Sequence, residues 1–479
     1  MAPATRPPPA RWPWAGGARY NRAAMERDLT RGGIPGHLLA MSVPVILGYL
    51  AQTLYDLVDL FWIGRLPEAS AALGGVTIFL QLLWVVEFLN QVIGMSSVSL
   101  ISQSFGAGRL ERTRTAIEQT LVFKALVALA AGLLGFAILR PVVGLYSRDP
   151  QVVGAALAYG RLRLLTLPLM FSSYSVITAL RSIGDARRPM YILVFCAVLN
   201  AVLDPVLMFE RVPVLGLPGM GLGVFGASLA TVLATALSFA LGLWFLFTGR
   251  TRVRLTRAGL LRLDPEIDRK LIVIGLPAGA ENLVRNGAQA AVLKVVSLYG
   301  TAAVAALGIV YRLFTFALMI LVGLHMGAGT VAGQNLGAER LDRARAACRA
   351  AALSGLVLML VLGVFTWVWS RPLLALFTTD AQTIAMGVPL LRIFCLALLF
   401  LAFTFGLGSS FGAAGFNLPF LVSGLASKLG FQLPFLLVLR LLFDAPLILV
   451  WGSFLGTEIV ELAVVWRFYR SGRWLKVRV

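Results

Sequence analysis

The sequence predicts an all-α integral membrane protein with twelve transmembrane helices in two six-helix lobes, related by a pseudo-two-fold axis along the membrane normal. Its composition is the first observation, because 58% of the 479 residues are hydrophobic and 13% are charged, whereas an average soluble domain carries about 25% charged residues. The length of the apolar segments is the second, since about twenty residues cross a hydrocarbon core of about 30 Å. An internal repeat is the third.

The apolar segments can be placed along the whole chain with short polar loops between them. Runs of this length exclude barrel strands, and membrane helices tolerate the 48 glycines and 22 prolines because neighbouring helices satisfy the freed backbone groups. The predicted spans are 38–64, 70–104, 114–139, 151–180, 189–209, 222–248, 270–298, 302–333, 347–369, 382–413, 418–441 and 445–468.

The positive charges set the predicted orientation. A net charge of +20 could indicate nucleic-acid binding, but the arginines and lysines lie in short loops, where the bias toward cytoplasmic loops and anionic membrane lipids account for them. With the N-terminus inside, 28 of them fall in inner segments and six in outer loops. We therefore expect cytosolic termini, contact with membrane lipids and no nucleic-acid partner.

The internal repeat has a constant spacing. The segment SQSFGAGRLERTRTA from Ser102 recurs as AGQNLGAERLDRARAA from Ala332, which pairs Gln103 with Gln334. The same offset relates further pairs: Arg109 and Arg340, Arg140-Pro141 and Arg371-Pro372, Asp149 and Asp380, Arg161 and Arg392, Gly184 and Gly415. We call this constant difference in residue number between paired positions the repeat offset. Because each copy has an even number of spans, both copies enter the membrane in the same orientation.

The repeat divides the chain into five predicted parts. Two lobes that rock about a central cavity are the usual physical meaning of such a duplication, so the sequence predicts a transporter. The predicted parts are a loose cytosolic tail (1–36), an N-terminal lobe (37–249), a basic linker (250–270), a C-terminal lobe (271–470) and a cytosolic C-terminal tail (471–479).

Few acidic residues lie inside the spans, and each costs about 2.5–3.5 kcal/mol at mid-bilayer on insertion scales. Asp59 lies six residues before Arg65 and Asp204 lies seven residues before Arg211, so both acids are at nearly the same depth in the outer half of the lobe. One helical turn separates Tyr55 from Asp59 and Asn200 from Asp204, so each acid has a polar neighbour on its own face. Such a pair of carboxylates is suited to a proton or an alkali ion.

Other polar residues in the spans have simpler interpretations. Asp59 and Asp204 could instead bond backbone groups or pair with Arg161 and Arg163, and Glu281 stands four residues before Arg285, as in an ordinary helical ion pair. We expect structural roles for the isolated histidines and cysteines, and neither a metal cluster nor a cofactor. The residues concerned are His37, His325, Cys196, Cys348 and Cys395, while Asp56 and Glu87 could face a loop or a neighbouring helix end.

At these residues the chain resembles the multidrug and toxic compound extrusion (MATE) family over residues 38–470. The first-span pattern appears as Pro44, Tyr55 and Asp59-Leu-Phe-Trp-Ile-Gly64, the fifth as Leu199-Asn200-Ala-Val-Leu-Asp204-Pro205 and the sixth as Gly226-Ala-Ser-Leu-Ala-Thr231. The match is best to the DinF-like branch. The NorM-like branch also uses acids in the seventh and tenth spans, and here the tenth contains none, so that Glu281 stands alone.

The resemblance implies an antiporter that exports cationic or amphipathic organic compounds by alternating access, coupled to protons or sodium. It implies residence in a bacterial-type plasma (inner) membrane, and we expect a monomer that is not an enzyme. It places the coupling ion, including any sodium, at Asp59, Asn200, Asp204 and Thr231, with Tyr55 beside them. Pro44, Tyr159 and Glu281 are the residues assigned to the substrate cavity or its gating.

Two other functions compete with export. A flippase for a lipid-linked sugar would share the two-lobe architecture and would favour a wide, arginine-lined cavity, and seven cations within spans keep this alternative open: Arg161, Arg163, Arg285, Lys294, Arg312, Arg392 and Lys428. An intramembrane enzyme would need clustered carboxylates for a metal, or a histidine-based site. The sequence contains neither.

Overall fold

The computed structural model describes residues 26–213, 216–442 and 445–479, and these ranges form an almost entirely helical molecule. The N-terminal lobe contains α1 (Ile34–Ile63), α2 (Ala69–Gly106), α3 (Leu110–Tyr146), α4 (Pro150–Leu165), α5 (Leu167–Ser182), α6 (Arg187–Met208) and α7 (Gly223–Phe247). The C-terminal lobe contains α8 (Pro265–Ser297), α9 (Thr301–Gly337), α10 (Leu341–Val368), α11 (Ser370–Ala375), α12 (Ala381–Ala414), α13 (Leu418–Gly424), a π-helical segment (Leu425–Gln432), α14 (Leu433–Leu442) and α15 (Leu447–Arg470).

The helices confirm the predicted twelve-helix, two-lobe architecture. In the described ranges, ten helical segments are long and apolar enough to cross a membrane, and the bent pair α4–α5 makes an eleventh. Helix α8 is the twelfth, with 33 residues. It is less apolar than the others because it carries Glu281, Arg285 and Lys294.

One predicted span, 151–180, is not a single straight helix. It breaks between α4 and α5, which meet at a bend of 56°. Pro168 lies in the first turn of α5, and proline lacks an N–H and disfavours helical geometry in the residue before it. The equivalent helix of the second lobe, α12, has Leu399 at this position and is continuous.

Matched local geometry recurs at the repeat offset. The side chains of Asp149 and Asp380 cap the N-termini of α4 and α12 by accepting hydrogen bonds from the amides of Gln151 and Gln382. The guanidinium of Arg161 lies 5.9 Å from the Phe136 ring centre, and that of Arg392 lies 5.4 Å from that of Trp367. These two rings are themselves separated by the same offset.

The lobes meet across the pseudo-two-fold axis at the ends of α2 and α9. A Cβ atom at Gly106 would overlap the carbonyl oxygen of Gln334, and one at Gly337 would overlap that of Gln103. The Gln103 side chain donates to the Ala413 carbonyl (2.9 Å), and the Gln334 side chain donates to that of Ser182 (3.0 Å). Only glycine permits so close a crossing, which closes the molecule on this side.

We call this closed side the terminal side, because the described ends of the chain also lie there. Helix α1 packs on α9, and α2 packs on α8 and α9, which completes the interface between the lobes. Val479 packs against a core cluster formed mainly by the N-terminal lobe, to which Val253 and Leu255 of the linker and Leu271 of α8 also belong. The terminal side therefore holds the lobes together at their loops and their chain ends.

The prediction of a loose N-terminal tail is wrong for residues 26–33, although residues 1–25 lie outside the described ranges. Leu29 is fully buried in a core cluster of the C-terminal lobe. Its carbonyl accepts from the Asn335 side chain (3.1 Å), and the Thr30 carbonyl accepts from Arg340 (2.7 Å). The Arg27 amide donates to the Gly184 carbonyl of the other lobe (3.2 Å), so this segment bridges both lobes.

Candidate functional site

A cavity of about 450 Å³ lies in the N-terminal lobe and reaches the interface with the other lobe. Helices α1, α2, α4, α5, α6 and α7 contribute to its wall, and Asn282 of α8 comes from the C-terminal lobe. The 56° bend lets α4 and α5 line it from two directions. Its charged and aromatic wall residues are Tyr55, Asp56, Asp59, Trp84, Glu87, Tyr159, Arg163 and Tyr174.

Asp59 lies in the cavity wall but is almost withdrawn from it, with 6% of its surface exposed. The Tyr159 hydroxyl, from α4, donates a hydrogen bond of 3.1 Å to its Oδ2 atom. Its Oδ1 atom is buried without a hydrogen-bond partner. One acceptor oxygen of the carboxyl group is thus available to a proton or an ion.

Asp204 and Asn200 lie on α6, behind the cavity wall, and both are fully buried. The Asn200 amide donates to Asp204 Oδ1 at 3.1 Å, which one helical turn of separation allows. Asp204 Oδ2 and Asn200 Oδ1 have no hydrogen-bond partner. The Asp204 carboxylate therefore resembles that of Asp59, with one oxygen atom hydrogen-bonded and the other without a partner.

Neither carboxylate has the close arginine partner that one form of the structural alternative predicted. No Lys or Arg nitrogen in the described ranges lies within 4.0 Å of Asp59 or Asp204. An isolated ionised carboxylate is strongly disfavoured in a buried setting, whereas a protonated one, or one that shares a bound cation, is not. The pair can accordingly hold a proton or an alkali ion.

The other predicted site residues fall in three places. Tyr55 and Thr231 line the cavity beside Asp59. Pro44 is buried within α1, which continues through it as a helix. Glu281 does not line the cavity and belongs to a separate ionic cluster of the C-terminal lobe, described next.

The ionic cluster of the C-terminal lobe consists of Glu281, Arg285, Lys428, Glu458 and Glu461. Arg285 Nη2 lies 2.6 Å from Glu281 Oε1 and 3.2 Å from Glu461 Oε1, as the helical spacing of Glu281 and Arg285 predicts for the first of these pairs. Lys428 Nζ lies 3.8 Å from Glu458 and 3.9 Å from Glu461. Glu281 is thus paired within α8, whereas Glu458 and Glu461 of α15 are paired with cations from other helices, Arg285 of α8 and Lys428 of the π-helical segment.

The structure brings two cations to the N-terminal site, of which sequence reasoning missed Lys124 and named Arg163 only as a partner for the acids or as a cavity cation of a flippase. Lys124 is 2% exposed, with its ammonium 5.8 Å from the Phe171 ring centre and within electrostatic range of Glu87. Arg163 lies in the cavity wall itself. A single cation in the long apolar run of α3 was a signal that could have singled out Lys124.

The remaining polar candidates have structural surroundings. The His325 ring nitrogen Nδ1 lies 2.8 Å from the Phe405 carbonyl oxygen, and the three cysteines are free. No cluster of three or more His, Cys, Asp or Glu side chains suited to a metal ion occurs in the described part of the chain.

The sequence model of the MatE family matches residues 44–206 and 277–438, one match in each lobe. The chain belongs to the MatE family. It is therefore a multi-pass membrane transporter and not an enzyme. The two matched ranges cover the first five spans of each lobe, including the α1 and α6 segments that carry Asp59 and Asp204.

Relatives of this MatE chain match over nearly its whole length. It is 26% identical to the probable multidrug resistance protein YoeA of Bacillus subtilis, over 89% of this chain and 92% of that protein. It is 25% identical to YpnP of the same organism, also a probable multidrug resistance protein, over 94% and 98%. A solved structure of a multidrug resistance MATE family transporter of the MOP superfamily in its outward-facing conformation is similar, with a TM-score of 0.84, 23% identity and coverage of 94% and 98%.

Proposed function

We propose that this protein is an antiporter that exports cationic or amphipathic organic compounds by alternating access, in exchange for protons or sodium ions. The relatives named as multidrug resistance proteins support the class of substrate. We place the protein in a bacterial-type plasma membrane with both termini in the cytosol, so that the terminal side faces inward and the cavity exchanges with the outside.

The observation that carries the ion coupling is the pair of buried carboxylates. Asp59 Oδ1, Asp204 Oδ2 and Asn200 Oδ1 are three buried oxygen atoms without hydrogen-bond partners. Oxygen ligands of this kind suit a hard cation, and either carboxylate can alternatively take a proton. Thr231 lies close by on α7, with its hydroxyl donating to the Ala227 carbonyl (3.1 Å) and a lone pair remaining for an ion.

Exchange follows if the ion and the substrate favour different shapes of the N-terminal lobe. Asp59 is in the cavity wall, while Asp204 is behind it, so an ion held between them draws α1 toward α6. Such a movement of α1, bending near Pro44, changes the wall that the substrate contacts. Binding free energies are reciprocal, so an ion that weakens substrate binding is itself weakened by substrate.

The alternative function, a flippase for a lipid-linked sugar, receives less support from the cavity. Arg163 is the one cation among the described residues that line it. Two of the other cations within spans, Arg285 and Lys428, belong to the ionic cluster of the C-terminal lobe. The assignment to the DinF-like branch, a monomeric state and the identity of the coupling ion stay predictions.

The test is transport by the purified protein in liposomes. Ethidium, a fluorescent organic cation, is trapped with the protein, and a proton or a sodium gradient is imposed in turn at fixed membrane potential. We expect at least one gradient to drive ethidium movement, and sodium-driven movement at clamped pH would identify sodium as the ion. A protein that responds to neither gradient would contradict antiport.

The matched variants locate the coupling. Asp59→Asn and Asp204→Asn each remove one carboxylate charge and should abolish the response to the gradient. Asp149→Asn removes a charge at the exposed start of α4, where asparagine caps a helix as well as aspartate does, and should leave the response unchanged. Full response of the Asp59→Asn protein would place the coupling site elsewhere.

A further inference from the structure

Arg163 is a buried cation for which neither the fold nor the ion site accounts. It is 7% exposed, lines the cavity, and its Nε and Nη1 atoms have no hydrogen-bond partner. Buried polar groups in proteins are almost always hydrogen-bonded, and buried charges are almost always paired. Two hydrogen-bond donors without partners, on a guanidinium at the cavity wall, indicate that a group in the cavity accepts hydrogen bonds from Arg163.

The protein itself offers Arg163 no close counter-ion. Its defined neighbours are two tyrosines: the Tyr55 side chain lies within hydrogen-bonding range of the guanidinium, and the centre of the Tyr159 ring lies 5.7 Å from the guanidinium carbon. Asp56 and Asp59 lie within electrostatic range, but no carboxylate oxygen in the described ranges is within 4.0 Å of Arg163. The guanidinium is held near these acids without being neutralised by direct contact.

The second lobe shows that the fold does not need a cation here. At the repeat offset, the residue equivalent to Arg163 is Phe394, and the residue equivalent to Tyr159 is Leu390. Phe394 packs with its ring centre 5.0 Å from those of Phe314 and Phe454, which fills the place that corresponds to the cavity. A helix of this fold is therefore stable with an apolar side chain at this position.

We propose that Arg163 binds an anionic group, a carboxylate or a phosphate, on the organic molecule that occupies the cavity. The planar fork of a guanidinium matches the two oxygens of such groups. Asp56, which is exposed to the cavity, and Glu87 can meet a cationic part of the same molecule, and Trp84 and Tyr174 can cover its apolar body. The substrate class is then an amphipathic zwitterion, an assignment that rests on the proposed function because it takes the cavity as the substrate site.

The test uses two dyes that differ in one group. Rhodamine 110 carries a free carboxylate, and rhodamine 123 is its methyl ester. Binding of each to the purified full-length protein in detergent is measured by fluorescence anisotropy. We expect Arg163→Gln to weaken binding of rhodamine 110 by about 10- to 100-fold, the worth of a hydrogen-bonded charged pair, and to leave binding of rhodamine 123 unchanged or tighter.

Two variants serve as controls. Arg161→Gln removes an exposed cation two residues away on the same helix, where the matched contacts of Arg161 and Arg392 indicate a role shared by both lobes, and should leave binding of both dyes unchanged. Arg163→Lys keeps the charge but not the planar fork, and should retain part of the preference for rhodamine 110. The midpoint of thermal unfolding shows that each variant is folded.

Several results would overturn the proposal. Equal loss of both dyes in Arg163→Gln would give Arg163 a positioning role, and a larger change for rhodamine 123 would make it a counter-ion of the cavity acids. If dihexanoyl phosphatidylglycerol removes the difference between the dyes, the group at Arg163 is a lipid phosphate and not part of the substrate. A protein that binds the dyes as expected but moves ethidium with neither gradient would contradict antiport alone, leaving the anion site intact.

Discussion

The two lobes carry buried acids of opposite character on the same scaffold. In the N-terminal lobe, Asp59 and Asp204 each receive one hydrogen bond from a neutral donor and keep one oxygen without a partner. In the C-terminal lobe, Glu281 and Glu461 share Arg285, and Lys428 stands within 4 Å of Glu461. A buried charge that is already paired holds its surroundings in place, whereas an unpaired one is free to bind, so we propose that the N-terminal lobe exchanges ions and the C-terminal lobe anchors the fold.

The difference extends to the space around the acids. The N-terminal lobe breaks its fourth span at Thr166, just before Pro168, and encloses a cavity, while the equivalent α12 is continuous and packs Phe394 among aromatic rings. Under the proposed function, different packing at a few positions of the duplicated fold gives one lobe that binds and releases ligand and one that supports it. This interpretation can be tested on each lobe separately.

The largest expected effect is in transport, where a variant of the N-terminal acids is compared with a variant of the C-terminal acids. Asp59→Asn should reduce gradient-driven movement of ethidium to the rate of protein-free liposomes. Glu281→Gln should retain most of it, because Arg285 keeps Glu461 as a partner at 3.2 Å and the cavity wall is untouched. The rates are compared at equal amounts of reconstituted protein. If Glu281→Gln abolishes transport as completely as Asp59→Asn, the division between the lobes is wrong.

A smaller effect is expected in stability, where variants of Arg285 and Arg163 are compared. Arg285→Gln leaves Glu281 and Glu461 facing each other without their shared cation, and losing one partner of a buried ion pair costs about 3–5 kcal/mol. Because the Arg285 side chain is 37% exposed, we expect a value near the lower end. Arg163→Gln should cost about 0.5–2 kcal/mol, the range of a cation–π contact.

Thermal unfolding in detergent, followed by tryptophan fluorescence, compares the two arginine variants with the parent protein. The midpoint should fall further for Arg285→Gln than for Arg163→Gln. The opposite order would show that Arg163 holds the N-terminal lobe together, which would weaken both the comparison of the lobes and the case for an anion site.

The fold was predictable from the sequence to a greater extent than the site. Span positions, the two lobes and the register of the repeat follow from hydrophobicity and repetition, and Asp59 and Asp204 stand out because an acid in an apolar helix is costly. The break at Thr166 needed attention to Pro168, which membrane helices often accommodate without breaking. The pairing of Arg285 with Glu461, on a different helix, depends on tertiary packing, which no local pattern encodes.

The smallest expected effect concerns the loops on the terminal side, where the two lobes have the same backbone conformation at equivalent positions but different residue types. Gly108 and Glu339 occupy positions that the repeat offset makes equivalent, and their φ angles are +73° and +58°. Glu339 is the only non-glycine residue with positive φ among the described residues, and this conformation costs a residue with a Cβ atom roughly 1–2 kcal/mol. Glycine carries no such cost but loses more entropy on folding, which offsets part of the gain.

Exchanging the residue types between these loops should therefore change stability in opposite directions. Glu339→Gly should stabilise the protein by about 1 kcal/mol or less, since Glu339 is exposed and forms no ion pair within the described ranges. Gly108→Ala should destabilise it by about 1 kcal/mol, and because nothing lies within 4 Å of the added Cβ atom, that cost is purely conformational. Glu339→Asn should fall between parent and Glu339→Gly, as asparagine tolerates the left-handed region better than glutamate. Unfolding midpoints of the three variants measure these shifts. Destabilisation by Glu339→Gly would show that the glutamate side chain makes a stabilising contact that is absent at Gly108. The lobes would then differ even where their backbone conformations are the same.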